Sequence, residues 1–327
     1  MYPAPRHPSH TLTSSTGVLL ITALIAMMMM TGCPGSHDDP GDVGFSDDTA
    51  DAHTPSDSDP TEEPDTPGDP EDTGQDTGDD TGEDPFVPPH PDDLDGPDVD
   101  FLERFDQGTI DPDVWRKGTW QEHDGQMSEE RVFLDGDVLV LAFEYDEDFF
   151  EETELFKSSS IETIREDFLY GRWEARLQMP QEDGLNAAMY TIDWRDNGQM
   201  TRQEVDIEFV TRNIGDSHSE VHIAVHGAEF DSWWTQVTLP FNPADDFHVW
   251  GFDITEDSIT WFVDNIDLFT YYYDDRPGRI DAPYRLKFNF WSQKPGFHSS
   301  GNWIQGPPTA NTEFHYRIDW VRFLPHD

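Results

Sequence analysis

The chain is short of cysteine and of positive charge. Its 327 residues include one cysteine, Cys33, and 19 Lys and Arg against 69 Asp and Glu, a net charge of −50 at pH 7. A single cysteine excludes an internal disulfide, so a fold has to be held by packing alone. The scarcity of cations excludes nucleic acid as a partner, because binding a phosphate backbone needs clustered Lys and Arg. Polyanionic polysaccharides are repelled for the same reason, and a neutral polymer fits better. Long apolar runs are also scarce. Gly17 to Met30 forms one, but it falls short of the roughly 20 residues that cross a bilayer as a helix.

What is present divides the chain in three. In residues 1–33, Arg6 supplies a positive charge ahead of the apolar run, and small residues precede Cys33. This is the layout of an export signal. Met30-Thr31-Gly32-Cys33 resembles the lipobox of bacterial lipoproteins, with Met where Leu is preferred. The resemblance implies acylation of Cys33 and an exported lipoprotein anchored in a membrane, at the cell surface or outer membrane; an ordinary cleaved signal with an incidental cysteine is the alternative. Residues 34–97 read as a tether of Asp, Glu, Pro, Gly, Ser and Thr, with Asp72-Thr73-Gly74, Asp76-Thr77-Gly78 and Asp80-Thr81-Gly82 as a short repeat. From residue 34 to residue 100 there are 24 acids and no Lys or Arg, too little apolar surface to offset the entropy of ordering and enough charge to keep the segment extended. No stretch matches the EF-hand ligand pattern, which favours a solvated spacer over a Ca²⁺ site.

Residues 98–327 can fold. All 11 tryptophans lie after residue 100, where 45 acids still face 18 Lys and Arg. Short apolar runs, rich in aromatic and β-branched residues and broken by turn residues about every ten positions, predict an all-β domain: two antiparallel sheets packed face to face as a β-sandwich. The predicted strands are Val138 to Phe143, Gly171 to Met179, Glu204 to Val210, Glu220 to His226, Asp246 to Asp253, Ser258 to Val263, Tyr284 to Trp291 and Phe314 to Phe323. Asp264-Asn265 reads as a two-residue hairpin turn.

The chemistry candidate is Glu204-Val205-Asp206-Ile207-Glu208-Phe209. On a strand Glu204, Asp206 and Glu208 share one face, and Val205, Ile207 and Phe209 share the other. Spacing alone is a weak signal, since Glu144, Asp146 and Asp148 repeat it; there, however, Tyr145 and Glu147 make no apolar face. A row of like charges destabilises an ordinary sheet. Over a concave face, two glutamates roughly 13 Å apart at Cα can lean together and leave about 5–5.5 Å between carboxyls, the separation used by retaining glycosidases.

That segment resembles the signature of the family 16 glycoside hydrolases, the clan of lichenases, laminarinases, agarases, carrageenases and xyloglucan transglycosylases. The one-residue gap between the second and third acids is similar to the lichenase and xyloglucan branch. Tyr170-Gly171-Arg172-Trp173-Glu174-Ala175-Arg176, Asp246-Phe247-His248-Val249-Trp250, Ile259-Thr260-Trp261-Phe262-Val263-Asp264, Asn289-Phe290-Trp291 and Asp319-Trp320-Val321 follow the family's order. The resemblance implies a curved jelly-roll β-sandwich with a concave substrate cleft, Glu204 as nucleophile, Asp206 as its helper and Glu208 as general acid/base. It also implies sugar contacts from Glu174 and Arg176 at the cleft floor, from His226 beside the cut, and from Asn289, Trp291 and Trp303. No cofactor is required; a structural Ca²⁺ near Asp319 is a further implication. Lichenases usually carry Trp two residues before the nucleophile, where this chain has Arg202. Trp173, Trp250, Trp261 and Trp320 are expected in the core. His222 and His226 share a strand face but lack a third ligand for zinc. Hydrolysis of a β-1,3-1,4- or β-1,3-glucan by a monomer is the expected activity; transglycosylation and a non-catalytic, cell-surface glucan-binding role stand as alternatives.

Overall fold

A computed structural model describes residues 94–193, 203–215, 217–227, 230, 232–276, 278–294 and 303–326. Cys33, the repeat region and Arg202 lie outside the described residues. Two sheets face each other across an aromatic core: the two-sheet sandwich expected from the strand rhythm, with the jelly-roll form that the family resemblance implies. One sheet, in spatial order, runs Trp115–Lys117, Phe156–Thr163, Arg285–Trp291, Asn186–Ile192, Gln203–Val210, Ser219–Gly227 and Trp233–Leu239, all neighbours antiparallel. The other runs Val132–Asp135, Val138–Glu144, Glu313–Pro325, Gly171–Gln178, His248–Ile254, Ser258–Val263 and Ile266–Tyr272, also antiparallel. The strand Phe156–Thr163 pairs into both sheets, which wraps the sandwich toward a barrel.

Alternation explains the packing. Val205, Ile207 and Phe209 meet Trp250, Trp261 and Phe252 from the opposite sheet in one cluster of buried side chains. Trp173, Trp250 and Trp261 are fully buried in it, while Trp320 is buried elsewhere, on the outer face of the second sheet against Leu94 and Val249. Leu94 shows that the packed region reaches back beyond residue 98. The Trp261 indole N–H donates to the backbone carbonyl of Asp206 at 3.0 Å, which ties the carboxylate strand to the core beneath it.

The predicted hairpin turn is present: Val263 pairs with Ile266, and Asp264 and Asn265 take φ of 47° and 63°. Two consecutive left-handed residues define a type I′ turn, whose twist matches that of the flanking strands. The second acidic triple behaves differently from the first. Its strand ends at Glu144, and Asp146 caps a short helix, Glu147–Thr153, by accepting from the Phe149 N–H at 3.0 Å.

Candidate active site

Because Val205, Ile207 and Phe209 are in the core, Glu204, Asp206 and Glu208 project from the opposite, outward face of their sheet. Strand register extends each acid into a row of side chains across the sheet. The first row is His226, Glu204, Ile192 and Arg285. The second is Trp234, Ala224, Asp206, Tyr190, Lys287 and Glu162. The third is Gln236, His222, Glu208, Ala188, Asn289 and Ser160.

The acids have distinct surroundings. Glu204 and Asp206 are buried, whereas the Glu208 side chain keeps 17% of its exposure. Asp206 lies 3.4 Å from His226 Nε2, and His226 Nδ1 is held by the Ser232 hydroxyl at 2.7 Å. Glu208 accepts from the Asn186 amide at 3.0 Å on one oxygen, and its other oxygen meets His222 Nδ1 at 3.0 Å. Glu204, Asp206 and His226 each offer a ligand atom within 4.8 Å of the others. His222 is not part of that cluster, being turned to Glu208 instead.

Beside the acids lies a polar floor that no motif announced. Glu122 accepts from the Trp120 indole at 2.9 Å and from Asn289 at 3.0 Å, and lies 3.9 Å from Lys287. Burial alone raises a carboxyl, but Lys287, His123 and those two donors together outweigh it and hold Glu122 below its ordinary value. Tyr190, opposite Asp206, is pushed far above the ordinary tyrosine range by burial first and then by the charges of Glu122, Glu204, Glu162 and Asp206. It stays a neutral hydroxyl. Glu162 receives Arg116, Arg285 at 3.0 Å and Lys287 at 3.6 Å. Each cation of this floor therefore faces a carboxylate. Glu122, Glu162, Tyr190, Lys287 and the His222–Glu208 contact were missed in the sequence. The alternation of Arg285, Lys287 and Asn289 with Leu286, Phe288 and Phe290 was the available signal for part of it.

Several expected sugar contacts lie elsewhere. Glu174 and Arg176 belong to the second sheet, whose inward positions are taken by Trp173, Ala175 and Leu177. Glu174 is locked by Arg172 at 2.7 Å and Arg322 at 2.5 Å, and Arg176 pairs with Asp319 at 2.6 Å. Neither is at the cleft floor, because strand parity turns them to the far side of the sandwich. Of Asp319, the position named for a structural Ca²⁺, one carboxylate oxygen is taken by the Arg176 guanidinium. Trp291 does lie on the acids' side of its sheet, but it is 2% exposed, packed with Met127, Val210 and Ile304, and its face is covered by the His123 ring at 3.9 Å. It is a packing residue. Trp303 is half-buried, edge-on to His222 at 5.7 Å, and Asn289 is buried against Glu122.

With this arrangement in view, the profile of glycosyl hydrolases family 16 matches residues 114–322. The chain belongs to that family. It is a glycoside hydrolase. Among curated relatives, it is 26% identical over 234 residues to the beta-glucanase of Brevibacillus brevis, covering 69% of this chain and 82% of that protein. It is 25% identical over 190 residues to the kappa-carrageenase of Pseudoalteromonas carrageenovora, covering 51% of this chain and about half, 48%, of that protein. The fold is similar to that of the Bacillus licheniformis beta-glucanase, with a TM-score of 0.57 at 19% identity over 69% of this chain and 98% of that one. It is likewise similar to the laminarinase catalytic domain of Thermotoga maritima, with a TM-score of 0.59 at 20% identity over 70% and 98%.

Proposed function

We propose that this glycoside hydrolase is an endo-acting, retaining enzyme on a neutral β-glucan with β-1,3-1,4 or β-1,3 linkages. The observation that carries the reading is the row Glu204, Asp206, Glu208 on one outward strand face, backed by core residues and flanked by His226 and His222. Glu208, more exposed and held on both oxygens, protonates the glycosidic oxygen as the bond to the anomeric carbon breaks. Glu204 forms the bond to that carbon, and Glu208 then removes a proton from the water that displaces Glu204. Asp206, between them and against His226, orients the nucleophile. Two inversions give net retention.

Neutral substrate is favoured by local as well as global charge. Among the described residues, the cations near the acids, Arg116, Arg285 and Lys287, already face Glu162, so they are not available to neutralise an anionic polymer at low cost. The beta-glucanase relative supports the same substrate class.

The test is stereochemical. The first product from lichenan or laminarin, followed by NMR, is expected to be the β-anomer. Glu204→Ala should abolish hydrolysis, and azide entering the vacated space should restore turnover of an activated glycoside with an α-glycosyl azide as product. Glu208→Ala with azide should give the β-azide, because a good leaving group needs no acid. An α-anomer as first product would remove Glu204 from the nucleophile role.

To this we add a proposal for the amino terminus: export, acylation at Cys33 and a spacer over residues 34–97, which would hold the enzyme at a membrane surface. Lipid rather than the apolar run supplies the anchor. Cys33→Ala should move the protein into the soluble exported fraction; persistence on membranes after carbonate washing would contradict acylation.

A further inference from the structure

Trp233 and Trp234 are adjacent on the strand Trp233–Leu239 and have opposite fates. Trp233 turns to the core, stacked on Phe269 at 4.9 Å and near Tyr271 at 5.1 Å. Trp234 turns outward and is 59% exposed. Among the described residues, three large apolar side chains are exposed, Ile164, Tyr272 and Trp234, and Trp234 is the one in register with the acids. It pairs with Ala224, which pairs with Asp206. Two strand spacings put it about 10 Å from the acid row. The methyl of Ala224 leaves the space between them low.

The surroundings of Trp234 are specific in kind. Along its strand the outward positions are Trp234, Gln236 and Thr238, all exposed and none charged. In a chain of net charge −50 with 27% charged residues, these three outward side chains, a ring, an amide and a hydroxyl, carry no charge. Across the strand pair Trp234, Gln236 and Thr238 face Ala224, His222 and Glu220; the His222 ring lies 5.1 Å from Trp234 and its Nδ1 contacts Glu208. The strip is therefore continuous with the candidate active site.

Resting on the polysaccharide reading above, we propose that Trp234 is the platform of a sugar subsite on the Trp233–Leu239 side of the cut. It takes the apolar face of one pyranose of a neutral polymer, with Gln236 and Thr238 available to its hydroxyls. An exposed indole with an amide and a hydroxyl beside it supplies both the flat apolar surface and the neutral donors and acceptors that a sugar ring presents. An anionic partner would find no cation on the strip, and Glu220 opposite Thr238 disfavours one further. The subsite that sequence assigned to Trp291 is closed by His123, so stacking shifts to the opposite side of the acids.

Affinity electrophoresis tests this without relying on cleavage. The full chain and Trp234→Ala are run in the cold in native gels containing lichenan, laminarin or xyloglucan, and reducing ends are measured separately. The wild type should be retarded by the polymer it cleaves, and Trp234→Ala should bind that polymer about tenfold more weakly, in line with loss of one aromatic stacking contact. Trp234→Phe should recover most of the retardation. Melting temperature should be unchanged, because the ring is exposed. Equal retardation of wild type and Trp234→Ala, or a wild type retarded by none of the polymers, would overturn the platform. Retardation lost in Trp234→Ala while the wild type releases no reducing ends would leave the platform standing and sink the hydrolase reading instead.

Discussion

At the scale of single residues, the arrangement around Glu208 has the most direct chemical consequence. A general acid that becomes a general base must give up its proton in the first step and collect one in the second. The Asn186 amide fixes one oxygen, and His222 Nδ1 touches the other at 3.0 Å. A ring nitrogen can accept from a protonated carboxyl or donate to a carboxylate, so His222 suits both stages as a positioning residue. His222→Ala is expected to lower kcat on polysaccharide by about 10–100-fold, a fraction of what general acid–base catalysis supplies, with little change in KM. On an aryl glycoside with a good leaving group, where the first step needs no acid, glycosylation should slow far less. Equal losses on both substrates would instead mean that His222 only props up the strand. Trp291 and Trp234 make the same point about context: the ring expected on the cleft is buried under His123, and an unremarked ring stands exposed.

At the scale of elements, legibility followed alternation. The carboxylate strand was readable because Val205, Ile207 and Phe209 separate the acids with apolar side chains, and the register confirms that face assignment. Ser258–Val263 and the Asp264-Asn265 turn were readable from the same pattern and from turn chemistry. The strand Asn186–Ile192 was not, because every residue in it is buried and a strand covered on both faces shows no period of two. Phe156–Thr163 was hidden by Ser158, Ser159 and Ser160, polar residues buried where it joins both sheets. These two strands carry Tyr190 and Glu162, so the floor beside the acids went unseen with them. Glu174 and Arg176 failed for the converse reason: their motif was correct in order, but order along the chain does not tell which of two sheets a strand joins.

At the scale of the whole molecule, the absence of disulfides leaves stability to burial, and burial makes stability sensitive to alkali. Tyr190, Tyr284 and Tyr316 are all held neutral by desolvation, with their folded values raised above the ordinary 10.0. Below pH 10.0 these hydroxyls are protonated in both folded and unfolded chains and contribute no pH dependence. Above it only the unfolded chain releases their protons, so stability falls as pH rises toward the folded values. Well above pH 10.0 each such group contributes a slope approaching about 1.4 kcal/mol per pH unit, and the three together about 4. Tyr316 isolates the effect, because its buried hydroxyl has no hydrogen-bond partner among the described residues. Removing an unsatisfied hydroxyl is neutral or mildly stabilising. Denaturant unfolding of Tyr316→Phe should therefore give wild-type or slightly greater stability at pH 7, and a decline between pH 10 and 11 that is smaller by about 1 kcal/mol. A decline as steep as that of the wild type would show that Tyr316 ionises in the folded chain as readily as in the unfolded one.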